Sequence, residues 1–209
     1  ERFLEALDMV LRLNKDFIPP YESGASLYIR PLMIGLGKQV GVSPASEYMF
    51  LMFVTPVGAY FKSGFRPSPM AIMRGYDRAA PLGTGQYKVG GNYAASLRSG
   101  VLAHDKGYSA VIYLDAKEKL YIDECGPANF FGIRGKSYIT PKSPSILPSI
   151  TNKSLMQLAE DMGLTVECRP VHVEELATFD EAGACGTAAV ISPILGADDL
   201  DEDNTLSLN

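Results

Sequence analysis

The stretch Gly83–Leu97, GTGQYKVGGNYAASL, sets the strongest limit on what this chain can fold into. Gly83, Gly85, Gly90 and Gly91 interrupt regular structure around Lys88, and the small-residue run that follows reads as a helix. A lysine is thereby placed in a tight turn at a helix entrance. Its amine ordinarily titrates near about 10.4 and is then a cation, not a nucleophile. Burial in an apolar turn would lower that value and free the amine to attack a carbonyl. No acid stands within six positions of Lys88 to hold the charge. A solvated loop lysine is the plain alternative. A phosphate-binding P-loop is excluded, because it needs Ser or Thr directly after the lysine to reach magnesium, and Val89 follows here.

The 209 residues suffice for one or two domains with a sizeable core. A net charge of −5 and a pI near 5.1, with no Lys/Arg-rich run, argue against a nucleic-acid-binding face. Cys125, Cys168 and Cys185 have no metal-type spacing and read as free thiols of a reducing compartment. His104 and His172 are the only histidines, so neither a zinc site nor a histidine triad is expected. The most apolar run, residues 48–61, is too short to span a bilayer and contains Pro56. No signal peptide is visible, and a cytoplasmic protein is expected. The chain opens at Glu1 inside an amphipathic pattern and closes on an acidic run, so it reads as a piece of a longer chain.

Along the chain, residues 2–14 carry apolar positions at helical spacing and end before Pro19-Pro20. Residues 26–30 alternate as a strand with Tyr28 and Arg30 on one face, closed by Pro31. Residues 48–54 are expected to form a buried strand. KSGFRPSP (62–69) begins an interdomain connection expected over 62–75, between a smaller domain (1–61) and a larger one (76–209). Asn92 is expected to cap a helix running to about Lys106. Strands are expected at 109–114, 120–124, 129–133 and 137–140. A helix is expected over 152–162, then short strands at 165–170 and 181–184 around a short helix, 173–179. CGTAAVISP (185–193) is a small-residue turn leading into a strand. The pattern is mixed α/β with predominantly antiparallel sheet and flanking helices.

Four features beside Lys88 could carry chemistry. Glu124 ends a strand and precedes Gly126 and the apolar Phe130-Phe131; a buried carboxylate there needs a cationic or N–H partner, while an exposed turn acid is equally open. Thr151 stands at a helix start, where free N–H groups suit a phosphate, or where it is an ordinary cap. Gly186-Thr187-Ala188 offers a hydroxyl and unhindered N–H groups. Arg30 could grip a carboxylate with two bonds or be surface charge. Together they supply a lysine for a Schiff base, a carboxylate for a ring nitrogen and donors for a phosphate, which is the set a pyridoxal phosphate site needs.

The chain resembles the branched-chain amino acid aminotransferases of the type IV pyridoxal phosphate fold, relatives of the D-amino acid aminotransferases and aminodeoxychorismate lyases. The resemblance rests on LYIRP (27–31), TPVGAYF (55–61), YKVGGNYA (87–94), DECGPANFF (123–131), SILPSITNKSL (145–155) and CGTAAVISP (185–193), in that order. It implies that Lys88 holds pyridoxal 5'-phosphate as a Schiff base and shuttles the substrate proton. It implies that Tyr93 bonds the cofactor's phenolic oxygen and that Glu124 pairs with the ring nitrogen. Ile150, Thr151, Gly186 and Thr187 would hold the phosphate, and Tyr28, Arg30 and Ala188 the substrate. No metal is implied.

The chain departs from the family's pattern at Ser149, where many relatives have Gly, at Asn152, where they have Arg, and at Pro127, where some have Thr. A cysteine pair found in mammalian mitochondrial relatives is replaced by Ala189 and Ser192. The family's smaller domain also supplies a phosphate-binding arginine that would lie upstream of Glu1. The resemblance implies a transaminase that moves the amino group of leucine, isoleucine or valine to 2-oxoglutarate, acting as a homodimer. A D-amino acid aminotransferase, an aminodeoxychorismate lyase or a catalytically silent scaffold on the same fold are the alternatives.

Overall fold

The structure is a computed structural model that describes residues 1–58 and 66–201, with the backbone alone of 204–207. Residues 62–65 of the expected connection and the last three residues of TPVGAYF lie outside the described residues. The chain divides into two compact units, residues 1–62 and 63–209.

The described residues of the first unit form one α-helix, two short 3-10 turns (Lys15–Phe17 and Tyr21–Ser23) and one ribbon. Helix α1 (Arg2–Leu13) packs Phe3 against Phe50, ring centroids 5.9 Å apart. It ends at Asn14, whose side chain donates to the Val10 carbonyl at 2.8 Å, well before the prolines. Strands β1 (Ser26–Leu36) and β2 (Glu47–Val57) pair antiparallel along their whole length. Pro31 therefore does not close the first strand but sits inside it, opposite Met52. In a two-stranded ribbon each strand keeps one unpaired edge, where a missing N–H costs nothing. The expectation that 48–54 is buried also fails: Tyr48, Phe50 and Phe53 are 61, 40 and 50% exposed. A continuous apolar run says a strand has two apolar faces, not that both are covered.

The second unit is built on a closed circuit of strands. In chain order it runs β3 (Ser68–Ile72), α2 (Gly90–Asp105), β4 (Ala110–Leu114), β5 (Ile122–Cys125), β6 (Ala128–Arg134) and β7 (Ser137–Pro141). Then come α3 (Ile150–Asp161), β8 (Thr165–Arg169), β9 (Glu181–Gly186), β10 (Val190–Asp199) and β11 (Asn204–Ser207). The order β10-β3-β4-β5-β6 is closed by β9, which pairs with both β6 and β10; β7 and β8 extend from β6, and β11 from β10. Among the described residues only β10–β3, β3–β4 and β7–β8 pair in parallel, the last two around the crossover helices α2 and α3. Strand β3 falls inside the expected 62–75 connection. Its Met70, Ala71 and Ile72 are buried, so 68–72 belongs to the larger unit's sheet.

Alternation explains the layering. Met70, Ile72, Ile112, Leu114 and Phe130 join one core with Ile139, Val171, Leu176 and Phe179. Their neighbours Ala71, Met73, Val111 and Tyr113 pack instead with Ala103 of α2, and Phe131 and Tyr138 with Ala159 of α3. The β5–β6 turn passes through Gly126 at φ 55°, a left-handed conformation that glycine adopts without penalty. The two helix starts differ from expectation. The residue flanking α2 is Val89, not Asn92, and α3 is capped by Ser149, whose hydroxyl accepts the Asn152 N–H at 3.2 Å.

Candidate active site

Glu124 pairs across β5 and β4 with Tyr113, which points to the α2 side of the sheet. It is 3% exposed. Its Oε1 accepts the Leu147 N–H at 2.6 Å and lies 3.2 Å from Nη2 of Arg78, also buried. Oε2 takes neither bond. Burial pushes this carboxyl up to about 7, opposed by the Arg78 charge, the Leu147 N–H and the more distant Lys88, while Asp123 adds to the rise. At neutral pH the group therefore stands between its two charge states.

The Lys88 turn is braced from inside. Asn92, the third residue of α2, donates to the carbonyls of Thr84 and Tyr87 at 2.8 and 2.9 Å and accepts from the Thr84 hydroxyl at 2.9 Å. Gly85 lies so close to the loop before α3 that a Cβ would sit 2.2 Å from the Ser145 carbonyl oxygen. Arg78 Nη2 donates to the carbonyls of Gly85, at 3.1 Å, and Ser145. The buried guanidinium thus joins the lysine turn, the Glu124 strand and the α3 entry loop. Lys88 itself is exposed, not buried as an apolar turn suggested. Its Nζ donates to the Tyr93 hydroxyl at 2.8 Å and lies 5.4 Å from that ring's centre. Tyr93, Glu124, Arg78, Gly85, Tyr87, Asn92, Gly126, Pro127 and Leu147 line one cleft.

The same loop delivers the start of α3. Leu147 donates to Glu124, its carbonyl accepts from Asn129 at 2.9 Å, and Ile150 and Thr151 follow. Both departures in this segment have local explanations. Ser149 has φ −62° and ψ 131°, ordinary extended backbone that makes no demand for glycine. Asn152 is buried, accepting from the Tyr138 hydroxyl at 2.7 Å and donating to Thr140 at 3.0 Å. The N–H groups at Ile150 and Thr151 precede the one that Ser149 caps.

Glu124 pairs with Asn129, and Asn129 with Cys185, so the three stand in one row across β5, β6 and β9. Gly186, Thr187 and Ala188 turn just beyond that row, and a Cβ on Gly186 would be 3.8 Å from that of Ala128. Tyr28 and Arg30 belong to the other unit, where the guanidinium lies over the Tyr28 ring at 5.1 Å, on the shared face expected from alternation. Cys125 and Cys185 are buried, and burial pushes the Cys185 thiol up to about 12, so it is an inert thiol. Among the described residues no three His, Cys, Asp or Glu side chains are placed to hold a metal ion. No helix among them is long and apolar enough to cross a membrane.

Arg78 and Asn92, which line this cleft, and Asn129 and Ser145, which bond to lining residues, were given no site role by the sequence. Arg78 is a single cation in the loop GYDRAAP, and nothing in its spacing distinguishes it from a surface residue.

Residues 1–196 match the family model described as amino-transferase class IV. The chain is 55% identical over 197 residues to a branched-chain-amino-acid aminotransferase of Helicobacter pylori, covering 93% of this chain and 58% of the relative. It is 51% identical to that of Haemophilus influenzae, covering 94 and 59%. Among solved structures, a branched-chain amino acid aminotransferase of Escherichia coli superposes with a TM-score of 0.76 at 31% identity, covering 94% of this chain and 62% of that one. One from Thermobaculum terrenum, solved in its PLP-form, gives 0.68 at 29%, covering 85 and 57%. The chain spans about three fifths of the length of these relatives.

Proposed function

This chain belongs to the amino-transferase class IV family, and on that premise we propose that the whole protein is a pyridoxal phosphate-dependent branched-chain amino acid aminotransferase. The observation that carries the reading is one cleft lined by a buried carboxyl, Glu124, and by Tyr93, whose hydroxyl accepts from the Lys88 amine at 2.8 Å.

The residues present fit the cofactor. Glu124 keeps Oε2 clear of the bonds that fix Oε1, so a protonated ring nitrogen has an acceptor. Arg78 Nε is buried with no hydrogen-bond partner among the described residues, an orphaned donor in the cleft wall. When bound, pyridoxal phosphate supplies an electrophilic carbon and a ring that accepts electrons. The rest falls to the chain. Lys88 holds the cofactor through Nζ and, when released, takes and returns the substrate's α-proton at that atom. The Tyr93 hydroxyl, 2.8 Å from Nζ, orients the amine. Glu124, raised to about 7 by burial, is drawn into its ionised form by a cationic partner and then keeps that partner protonated. The N–H groups and hydroxyls at Ile150, Thr151, Gly186 and Thr187 suit the phosphate. Tyr28, Arg30 and Ala188 are assigned to the substrate.

In this proposal residues 1–62 belong to a smaller domain, and 63–209, with β3, to a larger, cofactor-binding one. Leucine, isoleucine or valine donates the amino group to 2-oxoglutarate, and the protein is a cytoplasmic homodimer; the matches to branched-chain enzymes support the substrate class. The test is borohydride reduction of the full-length protein loaded with pyridoxal phosphate, followed by peptide mapping and a leucine-to-2-oxoglutarate assay. A cofactor adduct on Lys88 together with turnover is expected. An adduct elsewhere, or none, overturns the reading.

A further inference from the structure

Asp123 stands next to Glu124 but serves a different side of the molecule. The pairing of β4 with β5 runs Tyr113 to Glu124 and Leu114 to Ile122, skipping Asp123, which is therefore the bulged residue of the strand. Bulges re-aim side chains. Glu124 lines the cleft, whereas Asp123 lines a separate open depression with Asp115, Glu118, Tyr121, Lys142 and Ser143. Asp123 is 5% exposed, and a carboxylate so far from water needs donors.

Two serine hydroxyls supply them. Ser143 Oγ donates to Oδ1 at 2.8 Å and Ser145 Oγ to Oδ2 at 2.6 Å, with the two hydroxyl oxygens 2.9 Å apart. The Ser145 N–H closes the group on Ser143 Oγ at 3.2 Å. Two residues later the same loop places the Leu147 N–H on Glu124 Oε1 at 2.6 Å, and two after that Ser149 caps α3. The loop is thus tied at one end to Asp123 and at the other to Glu124, adjacent residues of one strand.

We propose that Asp123 is a positioning residue for the active-site carboxyl: by anchoring Ser143 and Ser145 it holds the Leu147 N–H on Glu124 and the start of α3 beside it. This rests on the reading of Glu124 as the carboxyl that faces the cofactor ring. A loop staple of purely structural purpose would hold residues 143–145 without affecting Glu124. The charged groups around the pair are Arg78 and Lys88 on the cleft side and Asp115, Glu118 and Lys142 on the other. The Leu147 N–H favours ionisation of Glu124 and the Asp123 charge opposes it. Two variants therefore act with opposite signs. Ser143→Ala/Ser145→Ala removes the anchor and leaves the carboxyl in place, so Glu124, losing the Leu147 N–H, ionises at higher pH. Asp123→Asn keeps a group of the same size that accepts one hydroxyl and donates to the other, but loses the charge, so Glu124 ionises at lower pH.

The experiment has two arms on the full-length protein. In the cofactor-free protein, hydrogen exchange at the Leu147 amide is expected to quicken about tenfold in the double serine variant and to stay near wild type in Asp123→Asn. In the protein loaded with pyridoxal phosphate, the pH midpoint of the bound cofactor's absorbance, identified by its loss in Glu124→Gln, moves up in the double variant and down in Asp123→Asn. If the double variant does not fold, Ser145→Ala alone removes the shorter bond and gives the same signs. Unchanged exchange at Leu147, or midpoints that move together, overturns the inference while a Lys88 adduct in the wild type leaves the proposed function standing. A wild type that forms no Lys88 adduct overturns the proposed function and the positioning role with it.

Discussion

Glu124 lines the cleft and Lys88 reaches it through its bond to Tyr93, and the two are held in opposite ways. The lysine is exposed, and its amine donates to a tyrosine that is itself 36% exposed. The carboxyl is buried, fixed at one oxygen by a backbone N–H and a buried guanidinium, and its strand neighbour is anchored to the same loop. The difference matches the work proposed for each. A group that must release a partner and carry a proton needs freedom, and the turn around it, not the side chain, is what Asn92 and Gly85 make rigid. A group that must meet a cationic partner in one place needs a fixed environment; the Leu147 N–H and Arg78 fix its position, while burial leaves its charge to be set by that partner.

The largest effect expected from this contrast is a separation of activity from stability at Lys88. Lys88→Ala in the full-length protein is expected to lower turnover by a factor of about a thousand or more. Its exposed position predicts a stability change within about 0.5 kcal/mol. Steady-state kinetics and urea unfolding of the same variant decide it, and turnover above a tenth of wild type would break the contrast. The mirror case is Arg78. Arg78→Ala strips the partner from a buried carboxyl and a donor from the Gly85 and Ser145 carbonyls, with an expected loss of about 3 kcal/mol in unfolding free energy. A loss below about 1 kcal/mol would show that the guanidinium is not the joint described above.

The pH dependence sharpens the same point. Glu124 has its pKa raised by burial from an ordinary 4.5 to about 7 in the folded chain. A raised pKa means the folded state binds the proton more tightly, so this group's contribution is fully present below about 4.5 and is lost as pH rises through about 7. The loss is about 3 kcal/mol for the cofactor-free protein across that window. Glu124→Gln keeps the shape and removes the proton, so its stability is expected to be flatter with pH between those limits. Identical pH profiles for the two proteins would place the carboxyl in water rather than in the sheet.

How much of this was legible in the sequence follows from the range of each interaction. Helices and most strands of the larger unit were readable, because alternation and helical spacing are local signals. Lys88, Glu124 and the Thr187 turn were each a weak local signal, and Tyr93 entered only through the resemblance carried by the ordered segments. What failed was set by the particular partner a side chain reaches, near or far, which residue type alone does not announce. Asn92 looked like a helix cap because caps are Asn-rich, yet its side chain reaches back to Thr84 and Tyr87. Pro31 looked like a strand end, yet a ribbon edge tolerates it. Arg78 meets Ser145 across 67 positions and Glu124 across the cleft, and no window of sequence contains that contact.

The smallest expected effect concerns the turn that carries Thr187 and Ala188. Val190 closes it at φ 61°, and a β-branched side chain is poorly tolerated in the left-handed region. Such strain costs about 1–3 kcal/mol and persists only where the surroundings impose it. The imposing contacts are the pairing of Val190 with Gly186 and the bond from the Ile191 N–H to the Ala189 carbonyl at 2.7 Å. Val190 is 57% exposed, so its side chain contributes little burial to offset the strain. Val190→Gly relieves the clash and adds freedom to the unfolded chain, for a net gain of about 1 kcal/mol. If the strained turn holds Thr187 ready for a phosphate, the same variant binds pyridoxal phosphate several-fold more weakly while unfolding at higher urea. Greater stability with unchanged affinity would mean that the strain at Val190 follows from closing the hairpin and does nothing for the cleft, leaving the contrast to rest on Lys88 and Glu124 alone.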